Sequence, residues 1–190
     1  MNKYKVVLAS ASPRRRELLA GLDIDFEVRT LPDVDESFPT TLQGGDIPLY
    51  ISKKKADAYR PIMADDELVI TADTIVWLDG KALGKPTDKA DARRMLRDMS
   101  GKTHSVFTGV TITTKGEQHC FVAQSDVTFA TLADDEIDYY INKYRPMDKA
   151  GSYGVQEWIG YIGIEKISGS YFNVMGLPVQ RLYSELKTVL

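Results

Sequence analysis

The chain has 190 residues, 43% of them hydrophobic and 27% charged, which suits one sizeable core or two small lobes around a cleft. Its net charge of −3 and pI near 5.5 exclude a broadly basic surface, so no nucleic-acid partner is expected, while a few local cations still permit a phosphate ligand. No apolar run nears the ~18 residues of a membrane span, and the apolar stretch in MNKYKVVLAS is too short for a signal peptide, so no membrane partner and a cytoplasmic location are expected.

Tyr4–Ala9 (YKVVLA) reads as a buried strand. Ser12 and Pro13 then open a helix through about Leu22, because serine suits the N-cap and proline the first helical position. Phe26–Thr30 reads as a strand, followed by a loop with Asp33, Asp35 and Glu36. Asp46 can cap a helix over Ile47–Tyr59, with Ile47, Tyr50, Ile51 and Ala58 broadly on one face. Leu68–Leu78 (LVITADTIVWL) is strongly β-forming and ends at the turn signal Asp79-Gly80. Thr87 or Asp88 begins a helix that ends near Ser100-Gly101.

Two long β segments, His104–Thr114 and Gln118–Thr131, are joined through Lys115-Gly116 as an antiparallel hairpin. The single cysteine, Cys120, lies in the second of these, in the apolar stretch HCFVA. It suits a reducing compartment and reads as buried filler. Asp134–Tyr144 reads as a helix stopped before Pro146. A glycine-rich loop, a strand pair around Tyr161–Ile167 and a last helix from Pro178 complete the chain. No repeat or linker divides residues 1–190, which are read as a single domain. The fold class is α/β with a mixed, mainly antiparallel central sheet and flanking helices, since the hairpin excludes a purely parallel sheet.

The chemically informative segments begin at LASASPRRRELL, residues 8–19, where a strand runs into a helix with Arg14, Arg15 and Arg16 in its first turn. Cations are disfavoured there by the helix dipole, so the cluster makes local sense around an anion. Arginine forks match phosphate oxygens, and Ser10 and Ser12 add donors. A solvated surface helix with Glu17 offsetting part of the charge accounts for the same residues, and local physics leaves both readings standing.

Asp73 sits inside VITADTIVWL, where burying an acid is costly unless a metal, a catalytic role or a neighbouring donor satisfies it. Strand alternation puts Thr71, Asp73 and Ile75 on one face and Thr74 on the other. Lys53–Lys55 and Gly84-Lys85-Pro86 offer further cations, but helical geometry lets at most one or two of the former face a common site. In DKAGSYGVQ, residues 148–156, Gln156 offers a donor and an acceptor suited to a base edge, while Tyr153 or Tyr171 could stack on a base. His104 and His119 lack a third ligand at zinc spacing.

These segments, with DES at 35–37, KKA at 54–56, ADTIV at 72–76, MSGKTHSVFTGV at 99–110 and GSYFNVMGLP at 169–178, occur in an order that resembles the Maf family of nucleotide pyrophosphatases. The resemblance implies an elongated, two-lobed Maf/ITPase-like fold with a central cleft, and frequent homodimers. It implies hydrolysis of the α–β anhydride of a nucleoside triphosphate, giving monophosphate and pyrophosphate, with a divalent metal, Mg²⁺ or Mn²⁺. By motif position, Asp73 is the implied proton acceptor. Ser10, Arg14 and Arg15 hold phosphates, Lys55 and Lys85 neutralise charge, and Glu36 lies near the metal or water, with Glu36 and Asp73 as the metal ligands. Arg14, Thr74 and Gln156 stand where relatives similar to 7-methyl-GTP pyrophosphatases carry Trp, Gln and Glu, so these three resemble the dTTP/UTP group. A 7-methyl-GTP or other modified-nucleotide pyrophosphatase, and a nucleotide-binding cell-division regulator with little catalysis, are the alternatives.

Overall fold

The computed structural model of the chain describes residues 4–32 and 34–189, so Asp33 and the first three residues read above lie outside the described residues. The strands are β1 (Lys5–Leu8), β2 (Phe26–Val28), β3 (Glu67–Leu78), β4 (Lys81–Leu83), β5 (Thr103–Thr113), β6 (Gln118–Phe129) and β7 (Ile164–Ser168). The helices are α1 (Pro13–Ala20), α2 (Asp46–Tyr59), α3 (Lys89–Met99), α4 (Asp134–Tyr144), α5 (Trp158–Gly163), α6 (Tyr171–Met175) and α7 (Val179–Val189). No helix among the described residues is long and apolar enough to cross a membrane.

One seven-stranded sheet runs β2-β1-β3-β5-β6-β7, with β4 paired to β3. β1 is parallel to β2 and β3, and every other pairing is antiparallel, so the sheet is mixed and mainly antiparallel as the hairpin indicated. Alternation along β3 separates two cores. Leu68, Ile70, Ala72 and Val76 join the large core built with Leu18 and Leu19 of α1, Leu96 and Met99 of α3, Ile137 and Tyr140 of α4, and Leu182 of α7. On the other face, Val69 packs with Tyr59 and Met63, and Ile75 packs with Ile47 and Ile51 of α2. The first turn of α2 presses directly on β5: a Cβ at Gly109 would stand 2.4 Å from the Pro48 carbonyl carbon and the Leu49 nitrogen. Only glycine admits that approach, which fixes α2, and with it Lys55, against the sheet.

The strand pairings leave a gap that becomes the site. β1 pairs with β3 only over Glu67–Ile70, and β4 pairs with it only over Val76–Leu78. Between them, Thr71–Ile75 are paired to β5 on one side and, among the described residues, to no strand on the other.

Several local expectations are corrected. Asp46 is the first residue of α2 rather than its cap; Gly45 holds the cap position without a side-chain bond. Tyr50 is 39% exposed, and the buried face of α2 uses Pro48, Ser52, Ala56 and Tyr59 beside Ile47 and Ile51. The stretch around Tyr161–Ile167 is helix α5 followed by one strand, β7, whose partner is β6, so no strand pair forms within it. Cys120 is half-buried on β6 rather than buried.

Candidate active site

The open edge of β3 borders a cleft of about 800 Å³, lined from four directions. The β1–α1 corner brings Ser10, Arg14 and Arg15; β3 brings Asp73 and Thr74; α2 and the preceding loop bring Lys55 and Glu36; Lys85 and Gln156 come from the segments after β4 and around residue 150. All nine residues to which the family resemblance gave a role therefore line one cavity. Five cationic side chains (Arg14, Arg15, Lys55, Lys85, Lys149) face three acidic ones (Glu36, Asp73, Asp148) in its wall. On a chain whose overall charge is −3, that local excess favours an anionic ligand.

Lys55 and Asp73 meet because α2 packs on the β3 face to which alternation assigned Asp73. Lys55 Nζ donates to Asp73 Oδ1 at 2.8 Å and pairs with Glu36 Oε1 at 2.9 Å. Burial pushes the Glu36 carboxyl up, but Lys55, Lys85 and Arg15 outweigh it and hold the group below the ordinary carboxylate range. The neighbouring Lys54 turns the other way, donating to Asp35 and to the Ser37 carbonyl and hydroxyl, which pins the 35–37 loop to α2. Lys53 is exposed, so the lysine run divides three ways, as its helical fan requires.

Two carboxylates on one ammonium form a donor set that also fits a hard divalent cation. Mg²⁺ is commonly held by one or two carboxylates, with water and substrate phosphate completing its shell. Among the described residues no cluster of three or more His, Cys, Asp or Glu side chains could hold a metal alone.

The arginines are less alike than their sequence suggests. Ser12 caps α1 by accepting the Arg15 amide at 3.4 Å, which points the first helical turn at the cleft. Arg15 then donates through Nε to Gly176 O at 2.8 Å, through Nη1 to Ala72 O at 2.9 Å, and through Nη2 to Thr74 Oγ1 at 3.1 Å. The Ala72 carbonyl belongs to the unpaired edge of β3, so Arg15 takes the place of a missing strand. Burial lowers the Arg15 pKa, against the opposing pull of Asp73. Arg14 instead donates to Asp148 Oδ2 at 2.9 Å, and Arg16 is exposed. Thr74 is occupied by Arg15, by Thr108 Oγ1 at 2.9 Å and by the Gly176 carbonyl at 3.4 Å.

Lys85 is exposed and makes no hydrogen bond or ion pair among the described residues. Gln156 holds its Oε1 buried at the cleft wall with no hydrogen-bond partner among the described residues, an acceptor left for a ligand donor. Of the two tyrosines considered for stacking, Tyr171 is not in the wall. Tyr153 is 6% exposed and committed to a ring cluster with His104 and Phe129. Sequence reasoning missed Phe38, an aromatic 38% exposed in the cleft wall, and the buried Lys149. Lys149 stood inside the DKAGSYGVQ segment, where a lysine among small residues was the available signal.

A family model described as Maf-like protein matches residues 5–189. A protein of Bacteroides fragilis named dTTP/UTP pyrophosphatase is 64% identical over 187 residues, 98% of this chain and 97% of its own. One of the same name from Phocaeicola vulgatus is 65% identical over 187 residues, with the same coverage of both chains. Among solved structures, the Ham1 protein of Staphylococcus aureus superposes with a TM-score of 0.54 at 16% identity, covering 98% of this chain and 100% of that one, a likeness of fold alone. With its family model spanning nearly every residue and its site motifs gathered in one cleft, this chain belongs to the Maf family.

Proposed function

We propose that this chain hydrolyses dTTP and UTP, together with modified pyrimidine nucleotides, to the nucleoside monophosphate and pyrophosphate. The observation that carries the reading is the company Gln156 keeps: a buried, unpartnered acceptor in the same wall as five cations and the Lys55–Asp73 pair. The names of the Bacteroides and Phocaeicola relatives support the same substrates.

In this reading Arg14, Lys55 and Lys85 neutralise the triphosphate, with Ser10 and the Arg14 amide in the first turn of α1 adding hydrogen bonds. Asp73 accepts the proton of the water that opens the α–β anhydride. Positioning and charge neutralisation carry the rest of the acceleration. Glu36 and Asp73 would hold Mg²⁺ or Mn²⁺, which supplies further charge neutralisation and a more acidic water when bound. Gln156 accepts the N3–H of uracil or thymine and donates to the adjacent carbonyl. In the same pose cytosine turns its N3 acceptor toward Oε1 and its 4-amino donor toward the amide N–H, so discrimination depends on the Gln156 amide being held in one orientation. Thr74 acts through Arg15, which it helps to hold.

The reading extends to one domain with two lobes around the cleft, a homodimer, and a cytoplasmic setting where such nucleotides are abundant. The test is a panel of dTTP, UTP, CTP, ATP and 7-methyl-GTP with Mg²⁺ or Mn²⁺, following pyrophosphate release. Turnover of dTTP and UTP above the rest is expected. Release of inorganic phosphate would sink the bond assignment, and preference for 7-methyl-GTP would sink the base assignment.

A further inference from the structure

We infer that Tyr140 is a positioning residue for base recognition, because its phenol ties together both ends of the turn that carries Gln156. The inference rests on the reading of Gln156 as the base-contacting side chain. The turn runs from Gly154 to Glu157 and is closed by the Glu157 amide donating to the Gly154 carbonyl at 3.0 Å, so Val155 and Gln156 are its central residues. Tyr140, fully buried on α4, accepts from the Gly154 amide at 3.0 Å, and its hydroxyl donates to Glu157 Oε2. One oxygen thus bonds to the first and the fourth residue of a four-residue turn.

The side chain of Gln156 makes no hydrogen bond of its own among the described residues, so its amide is placed by the turn that carries it and by packing in the cleft wall. The turn is also held from beyond: the Gly160 amide donates to Glu157 O at 2.8 Å, and a Cβ at Gly160 would lie 1.9 Å from the Val155 carbonyl oxygen. The second oxygen of Glu157 continues the chain. Oε1 pairs with Lys149 Nζ at 3.2 Å, Lys149 donates to Asp148 Oδ1 at 2.9 Å, and Asp148 Oδ2 accepts from Arg14 at 2.9 Å. A continuous set of bonds therefore joins the base-reading turn to a phosphate-site arginine.

Tyr140 shares the buried face of α4 with Ile137 and Ile141, and its ring stacks on Tyr144. A hydroxyl is costly to bury there unless it is satisfied. Both of its bonds go to one turn, which distinguishes a positioning device from core packing.

The experiment compares Tyr140→Phe with wild type on UTP and CTP, measuring kcat, KM and melting temperature. Loss of a hydrogen bond to a charged group predicts a KM for UTP raised about tenfold, with kcat held within about twofold. The UTP:CTP ratio of kcat/KM should fall about as much. Glu157→Ala, which removes the acceptor of the Tyr140 hydroxyl and leaves Tyr140 itself in place, should shift the ratio in the same direction and guards against a Tyr140→Phe chain that fails to fold. A lowered melting temperature with an unchanged UTP:CTP ratio in both variants overturns the inference. Gln156→Ala separates the two readings. If it abolishes the UTP preference while the other variants retain it, the positioning role alone fails. If Gln156→Ala keeps the preference, base reading at Gln156 fails and takes the positioning role with it.

Discussion

Lys55 Nζ lies 2.8 Å from Asp73 Oδ1, and with Glu36 Oε1 at 2.9 Å the same ammonium satisfies two carboxylates of the cleft. Both partners of the shorter contact are largely buried, with side chains 14% and 13% exposed. The pair therefore survives in low-dielectric surroundings where an uncompensated carboxylate would be costly. Asp73→Asn keeps an oxygen for Lys55 and so keeps the geometry, while removing the proton acceptor. We expect kcat to fall on the order of 10²–10⁴-fold with nucleotide affinity nearly unchanged. Near-normal turnover by the variant, measured as pyrophosphate release, would move the proton acceptor elsewhere.

The same ammonium stands where a divalent cation bound by Glu36 and Asp73 would compete with it. A metal arriving alone must displace Lys55, whereas a metal arriving with a triphosphate brings anionic oxygens on which Lys55 can re-pair. Free Mn²⁺ is therefore expected to bind wild type weakly and the protein–nucleotide complex at least ~10-fold more tightly. Lys55→Met should raise the affinity for Mn²⁺ in the absence of nucleotide. Titration of the Mn²⁺ paramagnetic resonance signal checks this; equal affinity in wild type and variant counts against competition at the two carboxylates.

Arg15 yields a stability prediction that its neighbour Arg14 does not. Its three bonds, to Gly176 O, Ala72 O and Thr74 Oγ1, brace the stretch of β3 that neither β1 nor β4 covers. Lysine cannot reproduce that fork, so Arg15→Lys should cost about 2–3 kcal/mol in urea unfolding as well as lowering activity. Arg14→Lys, whose partner Asp148 has a side chain 58% exposed, should cost less than about 1 kcal/mol while weakening triphosphate binding. Equal stability of the two variants would return Arg15 to the role of a plain ligand.

That contrast marks where the sequence stops being legible. Although chain-local rules misplaced the α2 cap at Asp46, Ser12 as the cap of α1 and Asp73 and Thr74 on opposite faces of β3 were read correctly. Roles that depend on distant partners were not. Arg14 and Arg15 are adjacent and chemically identical, and only the 161-residue separation between Arg15 and Gly176 makes one of them a brace. Tyr140 sits in an amphipathic helix where an aromatic reads as core; its two bonds to the Gly154–Glu157 turn exist only after the fold brings α4 beside it. The short α6 was hidden for a related reason, since Ser170 caps it by accepting the Asn173 amide inside a segment that its glycines made look like loop. β4 is only three residues long, and it forms because the Asp79-Gly80 turn folds it back on β3.

His104 supplies the pH prediction. It is 2% exposed, its Nε2 shares a 2.7 Å hydrogen bond with the Tyr153 hydroxyl, and its Nδ1 has no partner among the described residues. Burial drives its pKa from 6.5 down to about 4, with Asp126 opposing only weakly. Because the folded value lies below the unfolded one, the unfolded chain binds the proton more readily between them. Stability is thus fully present above about pH 6.5 and is lost as the pH falls towards about 4, by an amount on the order of 3 kcal/mol. Protonation would also leave a charged ring against Phe129 and Tyr153, in the cluster that backs the cleft wall. His104→Gln keeps a hydrogen-bonding group for Tyr153 but does not titrate, so its unfolding free energy should vary less between pH 7 and pH 5 than that of wild type. Urea unfolding at the two pH values decides it: parallel losses in both proteins would assign the acid sensitivity to other groups.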